Sequence, residues 1–209
     1  MAGNKLHGIK SNSREGALIY ATANTMLPEM RKLISDGAAI EGLAHGTTAL
    51  HEAARLGLIR PAQLLIEHAT DLNVLDDDDA TPLMCSCILG QTNGSRVALM
   101  LLAGGADAKY VRKDDEMTAL KFAVKRCKPE VIQRLIDAGA SVDGPRGTDQ
   151  TALMLAARAN NIENLKVLLK NGANPSIKCK LPWAEGRTAA EVAEMEGRKR
   201  AAAFLRASV

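Results

Sequence analysis

The residues best suited to metal binding or nucleophilic chemistry in this chain are four cysteines and four histidines. No two cysteines have the spacing of metal ligands, and the histidines lie in the first third of the chain, away from most cysteines. The sequence contains no glycine-rich phosphate loop and no nucleophile–base pair. We therefore expect no enzymatic activity, no metal and no cofactor, and we expect reduced thiols in a cytoplasmic or nuclear protein.

The densest charge is the run Asp76–Asp79. Four carboxylates could attract a basic peptide or Ca²⁺, but calcium loops need spaced ligands and a sharp glycine turn, which this run lacks. We therefore expect a solvated acidic loop tip. A basic counterpart follows later in the sequence, at Tyr110, Arg112, Lys113 and Arg146.

Five threonines indicate the elements that must position these side chains. Thr48, Thr81, Thr118, Thr151 and Thr188 follow one another at intervals of 33, 37, 33 and 37 residues, and the first four each open a Thr-Ala-Leu or Thr-Pro-Leu phrase. A fixed period near 33 is typical of a stacked repeat array. The sequence therefore predicts an all-α repeat solenoid, a class that usually presents an extended surface to a partner.

One repeat shows the local logic. Thr48 is a candidate helix N-cap, the small Ala53 and Ala54 let a neighbouring helix approach, and Gly57 can end the first helix. Pro61 stands near the start of a second helix, where proline is tolerated. Helices of two to three turns are too short to be stable alone, so we expect stacking between copies to stabilise them.

The segment from Thr48 to Gly57 resembles the ankyrin-repeat signature, and the segment from Leu64 to Asn73 resembles its second half. The resemblance covers about residues 14–209. It implies helix pairs with projecting β-hairpin fingers, and a protein-interaction role through the fingers and the concave face of the first helices. It also implies that His51 is a structural histidine whose ring bonds the backbone near the turns. Cys87 stands in place of a helix-packing alanine and is expected in the core.

We expect a polar N-terminal tail over residues 1–13 and a repeat domain over residues 14–209. Its units lie near 14–45, 46–78, 79–115, 116–148, 149–185 and 186–209. The first unit is degenerate, with Gly16 where threonine is expected, and the last carries more charge, as terminal repeats facing water do.

Two longer periods indicate insertions. Three extra residues fall between two helices around Gln91–Gly94, where we expect a loop, and four extra residues lengthen the last finger. That finger contains Lys178, Lys180 and Trp183, the single tryptophan. Trp183 either plugs the end of the stack or is an exposed interaction hot spot, and we favour the plug.

The fourth, seventh and eighth residues after each threonine should face the concave side. The fourth positions form an apolar column, and basic residues flank it, while Leu56, Ile88 and Leu89 share the later positions. Together with finger residues, this gives the predicted partner-binding set: Tyr20, Arg55, Phe122, Lys125, Arg126, Leu155, Arg158, Tyr110, Arg112 and Trp183. The column, which also includes Cys85, suits a peptide with apolar anchors and acidic flanks. The competing interpretation is ordinary family packing, since leucine is common at the fourth position.

Charge distribution leaves two alternatives open. Residues 1–104 contain 8 basic and 11 acidic residues, and residues 105–209 contain 19 and 13. The basic second half favours a nucleic-acid-associated regulator, whereas an aromatic content of 2% and a pI of about 8.7 argue against nucleic acid. A pathogen or symbiont effector could use the same stack on host proteins. No apolar run approaches the ~18 residues that span a bilayer, so we expect no membrane association, and we expect a monomer.

Overall fold

The structure is a computed structural model that describes residues 13–145 and 149–208. Within those ranges the chain forms twelve α-helices and one short 3₁₀-helix at Pro182–Ala184. The α-helices are α1 Arg14–Ala23, α2 Leu27–Ser35, α3 Ala49–Leu56, α4 Ile59–His68, α5 Pro82–Leu89, α6 Gln91–Ala103, α7 Ala119–Arg126, α8 Pro129–Asp137, α9 Ala152–Arg158, α10 Ile162–Lys170, α11 Ala189–Met195 and α12 Lys199–Ala207. The predicted tail, apart from its last residue, and Arg146 lie outside the described residues, and the predicted unit boundaries stay predictions.

The helices pack in consecutive pairs, α1 with α2 through α11 with α12. Each odd-numbered helix also packs against the next odd-numbered one, and the even-numbered helices from α4 onward do the same. The odd-numbered "first helices" and the even-numbered "second helices" therefore form two adjacent layers of one array, which confirms the predicted all-α solenoid. No helix in the described ranges is long and apolar enough to cross a membrane.

The periodic threonines are the N-caps of the first helices. In α3, α5, α7, α9 and α11, the threonine hydroxyl oxygen accepts the backbone N–H three residues on, at 3.3, 3.2, 3.1, 3.2 and 3.5 Å. This bond satisfies one of the N–H groups that have no partner inside a helix. In α1 the cap is Ser13, which accepts from Gly16 at 3.1 Å, so this helix begins earlier than the repeat pattern predicts.

Small side chains let neighbouring first helices approach each other. Ala53, Ala54, Ala156 and Ala157 are fully buried, and Cys87 takes the equivalent place in α5, as expected. Gly57 ends α3 with φ of 66° in the left-handed region. A Cβ there would lie 2.8 Å from Leu89 Cδ2 and 2.9 Å from Asn93 Cβ, so the site requires glycine for space as well as for conformation.

The fingers connect each second helix to the next first helix, and within the described residues they form turns rather than β-strands. They contain isolated antiparallel bridges, Ala44 with Thr47 and Val111 with Thr118, in place of the expected hairpins. Several neighbouring fingers are joined by a side-chain oxygen that accepts a backbone N–H group of the next finger. Glu41 Oε1 accepts from Thr70 at 2.6 Å, Asn73 Oδ1 from Asp107 at 2.7 Å, and Asp143 Oδ1 from Asn174 at 3.0 Å.

The prediction of a loop around Gln91–Gly94 is wrong. These residues form the first turn of α6, which has 13 residues, whereas the other second helices have 9 or 10. Gly90 and Gln91 reverse the chain with φ of 61° and 50°, and α6 starts immediately. The inserted residues therefore lengthen a helix, because a helical turn satisfies its own backbone groups whereas a loop leaves them to other partners.

We expect Ala156→Leu or Ala157→Leu to lower the free energy of unfolding by ~1–3 kcal/mol, because the added atoms overpack a closed helix contact. Ala159→Leu is the matched control, since Ala159 lies one residue beyond α9 and is exposed. Urea denaturation measures both effects. Equal shifts of the midpoint in the buried and exposed variants would contradict this assignment of helix faces.

Candidate protein-binding surface

The members of the predicted apolar column differ in their exposure. Tyr20 is 45% exposed, whereas Cys85 and Leu155 are only 4% exposed and belong to the core. The Cys85 thiol lies 3.9 Å from Asp76 Oδ2 of the preceding finger, so this finger covers the fourth position of α5. Burial raises the pKa of Cys85 to about 11, so its thiol stays protonated near neutral pH. Cys85 and Leu155 therefore offer little surface to a partner, and the binding role of the column stays a prediction.

Phe122 is half-buried and lies beneath a basic side chain. The Arg112 guanidinium carbon is 5.8 Å from the centre of the Phe122 ring. Arg112 also forms an ion pair with Asp115 at 2.5 Å. These two predicted contact residues thus contact each other, and the bond to Asp115 fixes the guanidinium over the ring.

The acidic run is only partly a solvated tip, because Asp77 and Asp78 are exposed whereas Asp76 and Asp79 bind groups of the protein. Asp76 is buried, and its Oδ1 accepts backbone N–H bonds from Asp78 and Ala80 at 3.0 and 2.9 Å. Its Oδ2 accepts from Arg55 Nη2 at 3.1 Å. These backbone N–H groups close the turn and take the place of water around the carboxylate.

Asp79 joins its finger to the next one. It accepts the Tyr110 hydroxyl at 2.7 Å and the Lys113 backbone N–H at 3.0 Å. The Lys113 N–H and the Tyr110 hydroxyl lower the pKa of Asp79, while partial burial and this carboxylate raise the pKa of Tyr110 to about 12. Tyr110 and Arg55 therefore stabilise the fingers in the free protein, and Asp77 and Asp78 remain the exposed carboxylates.

His51 is a structural residue, as the family resemblance implies. Its ring is fully buried, with Nδ1 2.8 Å from Thr48 Oγ1 and Nε2 3.0 Å from the Ala80 carbonyl oxygen. Because a carbonyl can only accept, Nε2 carries the proton and donates it to Ala80, and the Thr48 hydroxyl donates to Nδ1. Burial lowers the pKa of this ring, which is therefore neutral.

Exposed large apolar side chains mark one side of the array. In the described residues they lie in first helices (Tyr20, Leu56, Ile88 and Met195), in fingers (Leu43 and Trp183) and at the α1–α2 turn (Met26). None lies within a second helix. We call the exposed side chains of the first helices, together with the fingers, the first-helix face.

Beside Leu56 this face has a depression that the sequence did not predict, and its lining is mostly polar. The extra turn of α6, over 91–94, forms one wall of an open depression of about 330 Å³, and Leu56, Leu89 and Gly90 complete its lining. Leu56, Ile88 and Leu89 were placed on this side by their spacing but were left out of the predicted contact set. Met195 occupies the seventh position after its threonine, so the same spacing could have found it, whereas Leu43 has no such signal.

The basic part of the face lies on α7 and α9. Lys125 and Arg126 form no ion pair with any carboxylate in the described ranges, whereas Arg158 Nη2 lies 3.2 Å from Glu196 Oε1. Burial, and then the charges of Arg158 and Arg126, lower the pKa of Lys125. The structure therefore brings three of the predicted contact residues into one cationic cluster.

Trp183 lies on the first-helix face and is more exposed than a plug requires. The residue is 38% exposed, and the Arg158 guanidinium carbon lies 4.3 Å from the ring centre. Trp183 is part of the 3₁₀-helix in the long finger. The two sides of this finger are joined by backbone hydrogen bonds from the Cys179 N–H to the Arg187 carbonyl and from the Gly186 N–H to the Cys179 carbonyl, both at 2.8 Å. The finger thus closes on itself and holds the ring against α9.

The structure thus defines a stack of helix pairs with one open, partly apolar side. A family model of ankyrin repeats matches three overlapping segments, residues 18–107, 62–143 and 91–179. The chain therefore belongs to the ankyrin-repeat family. Within residues 13–145 and 149–208, no group of three or more His, Cys, Asp or Glu side chains could hold a metal ion.

Relatives of known description share this region. Neurogenic locus notch homolog protein 1 of Mus musculus is 33% identical over 133 residues, which are 64% of this chain and 5% of that protein. The ankyrin repeat and KH domain-containing protein mask-1 of Caenorhabditis elegans is 32% identical over 162 residues, or 77% of this chain and 6% of that protein. The chain thus spans about a twentieth of the length of these relatives.

A solved structure has the same fold. It is a chain of the complex of the Bd0816 predatory endopeptidase from Bdellovibrio bacteriovorus with immunity protein Bd3460. The TM-score is 0.79, and the match covers 91% of this chain and 97% of that chain at 22% identity. At this identity the likeness shows the fold alone.

We expect the buried neutral His51 to make stability depend on pH. Its pKa is lowered on folding, so its contribution is complete above the unfolded value of about 6.5 and is lost as the pH falls from there toward the folded pKa. Between about pH 7.5 and about pH 5.5, the urea midpoint of the wild type should fall further than that of His51→Gln. His68→Gln, at an exposed histidine, should keep the wild-type pH dependence. Parallel pH profiles for the wild type and His51→Gln would contradict this account.

We expect acrylamide to quench Trp183 fluorescence in the free protein, because the ring is partly exposed. Arg158→Ala should increase the quenching constant, since it removes the guanidinium that covers one ring face. Arg126→Ala, which removes a nearby charge without uncovering the ring, is the control. A blue-shifted emission that acrylamide does not quench would support the plug hypothesis instead.

Proposed function

We propose that this chain is a non-enzymatic protein-binding module, an adaptor or an inhibitor, that holds a segment of a partner on its first-helix face. Ankyrin repeats indicate a protein-interaction role in general. The observation that supports the finer proposal is the distribution of the exposed large apolar residues in the described part of the chain. Six of these seven lie on the first-helix face, and none lies within a second helix. Such patches mark interaction sites on soluble proteins.

The chemistry of the face changes along the array. Tyr20, Leu56 and Ile88 supply exposed apolar surface on α1, α3 and α5, and the depression beside α6 adds a recess. Lys125, Arg126 and Arg158 supply positive charge on α7 and α9. This gradient suits a segment with apolar anchors toward the α1 end and acidic residues toward the α9 end, which sharpens the predicted peptide with apolar anchors and acidic flanks.

Several predicted contact residues have a supporting role in this proposal. Arg55, Tyr110 and Arg112 bond to carboxylates within the fingers, and Leu155 supports α9 from the core. They fix the positions of exposed neighbours. The direct contacts we propose are Tyr20, Leu56, Ile88, Phe122, Lys125, Arg126, Arg158 and Trp183.

Two alternatives make different demands on the same surface. A nucleic-acid regulator needs basic residues that continue along a strand. Here α11 carries Glu191 and Glu194 and is followed by Glu196, so carboxylates border the cationic cluster on that side. The effector alternative concerns the cell in which the stack acts, and its mode of binding would be the same.

The test is selection of peptides from a displayed random library against the whole chain, followed by titration of the winners. Leu56→Glu and Ile88→Glu should each weaken binding about 10-fold, because each replaces an exposed apolar anchor by a charge. Gln63→Glu is the matched control, since it adds the same charge to the exposed side of α4 in the second-helix layer.

Peptides that keep full affinity for both first-helix variants and lose it for Gln63→Glu would move the site to the second helices. Circular dichroism and urea midpoints close to the wild type must accompany the weakened binding, since a folding defect would also reduce it.

A further inference from the structure

The cationic cluster on α7 and α9 has more positive charge than the chain itself neutralises. Arg158 has a partner in Glu196, at 3.2 Å, whereas Lys125 and Arg126 have no carboxylate partner within the part of the chain that the structure describes. Lys125 is close enough to the two guanidinium groups for their charges to lower its pKa, after the larger effect of burial. Gathering like charges is unfavourable, so an added carboxylate would relieve the repulsion.

Arg158 already shows how the cluster holds a carboxylate. Its guanidinium stacks on Trp183 at 4.3 Å and at the same time binds a Glu196 oxygen through Nη2. The aromatic ring restricts the guanidinium plane, which leaves the edge to bind an oxygen. Glu196 is the C-cap residue of α11, its side chain is 28% exposed, and the ion pair is therefore open to solvent and to competition.

The cluster has clear limits along the array. The equivalent positions of α5 are Ile88 and Leu89, and those after the last repeated threonine are Met195 and Glu196. Among the seventh and eighth positions of the first helices in the described residues, basic residues that no finger carboxylate binds thus lie only on α7 and α9, since Arg55 of α3 is bound to Asp76. A short acidic segment fits these limits, and a long polyanion does not, because the charge it needs does not continue.

We propose that Lys125, Arg126 and Arg158, with Trp183 stacked on Arg158, bind a carboxylate-bearing segment of a partner protein, and that Glu196 occupies the Arg158 part of this site until the partner arrives. The partner's carboxylate then takes the place of the Glu196 carboxylate, and Glu196 moves into solvent. This inference rests on the proposed function, because it assigns the acidic half of the segment that the first-helix face would hold.

The distinguishing experiment compares two substitutions on the same element. Glu196→Gln removes the internal competitor and should tighten the binding of library-selected peptides about 2- to 5-fold, the range expected from a surface ion pair. Glu194→Gln removes the same charge from α11, but Glu194 pairs with Arg206 instead, at 2.5 Å, so it should change affinity little. Trp183 emission follows binding at the site itself, since it is the single tryptophan.

Enrichment of Asp and Glu in the selected peptides, and tighter binding by Glu196→Gln than by Glu194→Gln, would support the proposal. Lys125→Gln should lower peptide affinity about 3- to 10-fold, and this loss of affinity should be smaller at high salt. Equal effects of Glu196→Gln and Glu194→Gln would overturn the competition and leave only long-range charge. Selected peptides without acidic residues would overturn the carboxylate site, although the proposed function stands if Leu56→Glu still weakens them. Tight binding of oligo(dT) that depends on Lys125 and Arg126 would assign the cluster to nucleic acid instead.

Discussion

The fold depends on one constraint, that its helices are too short to be stable by themselves. The first helices have 7 to 10 residues, below the ~12–15 at which an isolated helix becomes marginally stable in water. Their unpaired end groups must therefore find partners, often in the next unit. Asn164 of α10, for example, donates to the carbonyls of Val124 and Cys127 at the end of α7, at 3.0 and 3.1 Å. Each unit is completed by its neighbour, so stability belongs to the array as a whole.

The same constraint decides which surfaces remain for a partner. Close stacking requires small residues between first helices, as Ala53 and Ala156 show, and leaves larger side chains pointing away from the contact. Two finger carboxylates are already used within the array, since Asp76 binds Arg55 of α3 and Asp79 binds Tyr110 of the next finger. The apolar surface of α1, α3 and α5 and the basic side chains of α7 and α9 remain available to a partner. The proposed binding function uses these surfaces.

The periodic sequence predicted the parts of the molecule that every unit repeats, and missed those peculiar to one unit. The threonine caps and the buried alanines follow from local chemistry that recurs, so spacing alone reveals them, whereas the structural role of His51 came from the family resemblance. The turn at 91–94 was missed because an insertion has the same length whether it forms a loop or a helical turn. Asp76 and Leu155 were predicted to lie on the surface because their sequence positions indicate the direction of the side chain. Those positions do not show that another segment covers the side chain. Trp183 depends on the path of one long finger, for which no second copy exists.

Residues that bind and residues that stack are largely separate in this chain, and this separation has a consequence for how such a module can change partner. Leu56, Ile88 and Lys125 lie outside the contacts between alanines and outside the caps, so substitutions there alter the face with little cost to the array. Arg158 is the exception, because it joins α9, the long finger and the residue after α11 through Trp183 and Glu196. A change at Arg158 therefore affects both the geometry of the last two units and the charge of the face. Substitutions at the apolar end can therefore change partner specificity without changing stability, whereas substitutions at the basic end change both specificity and stability.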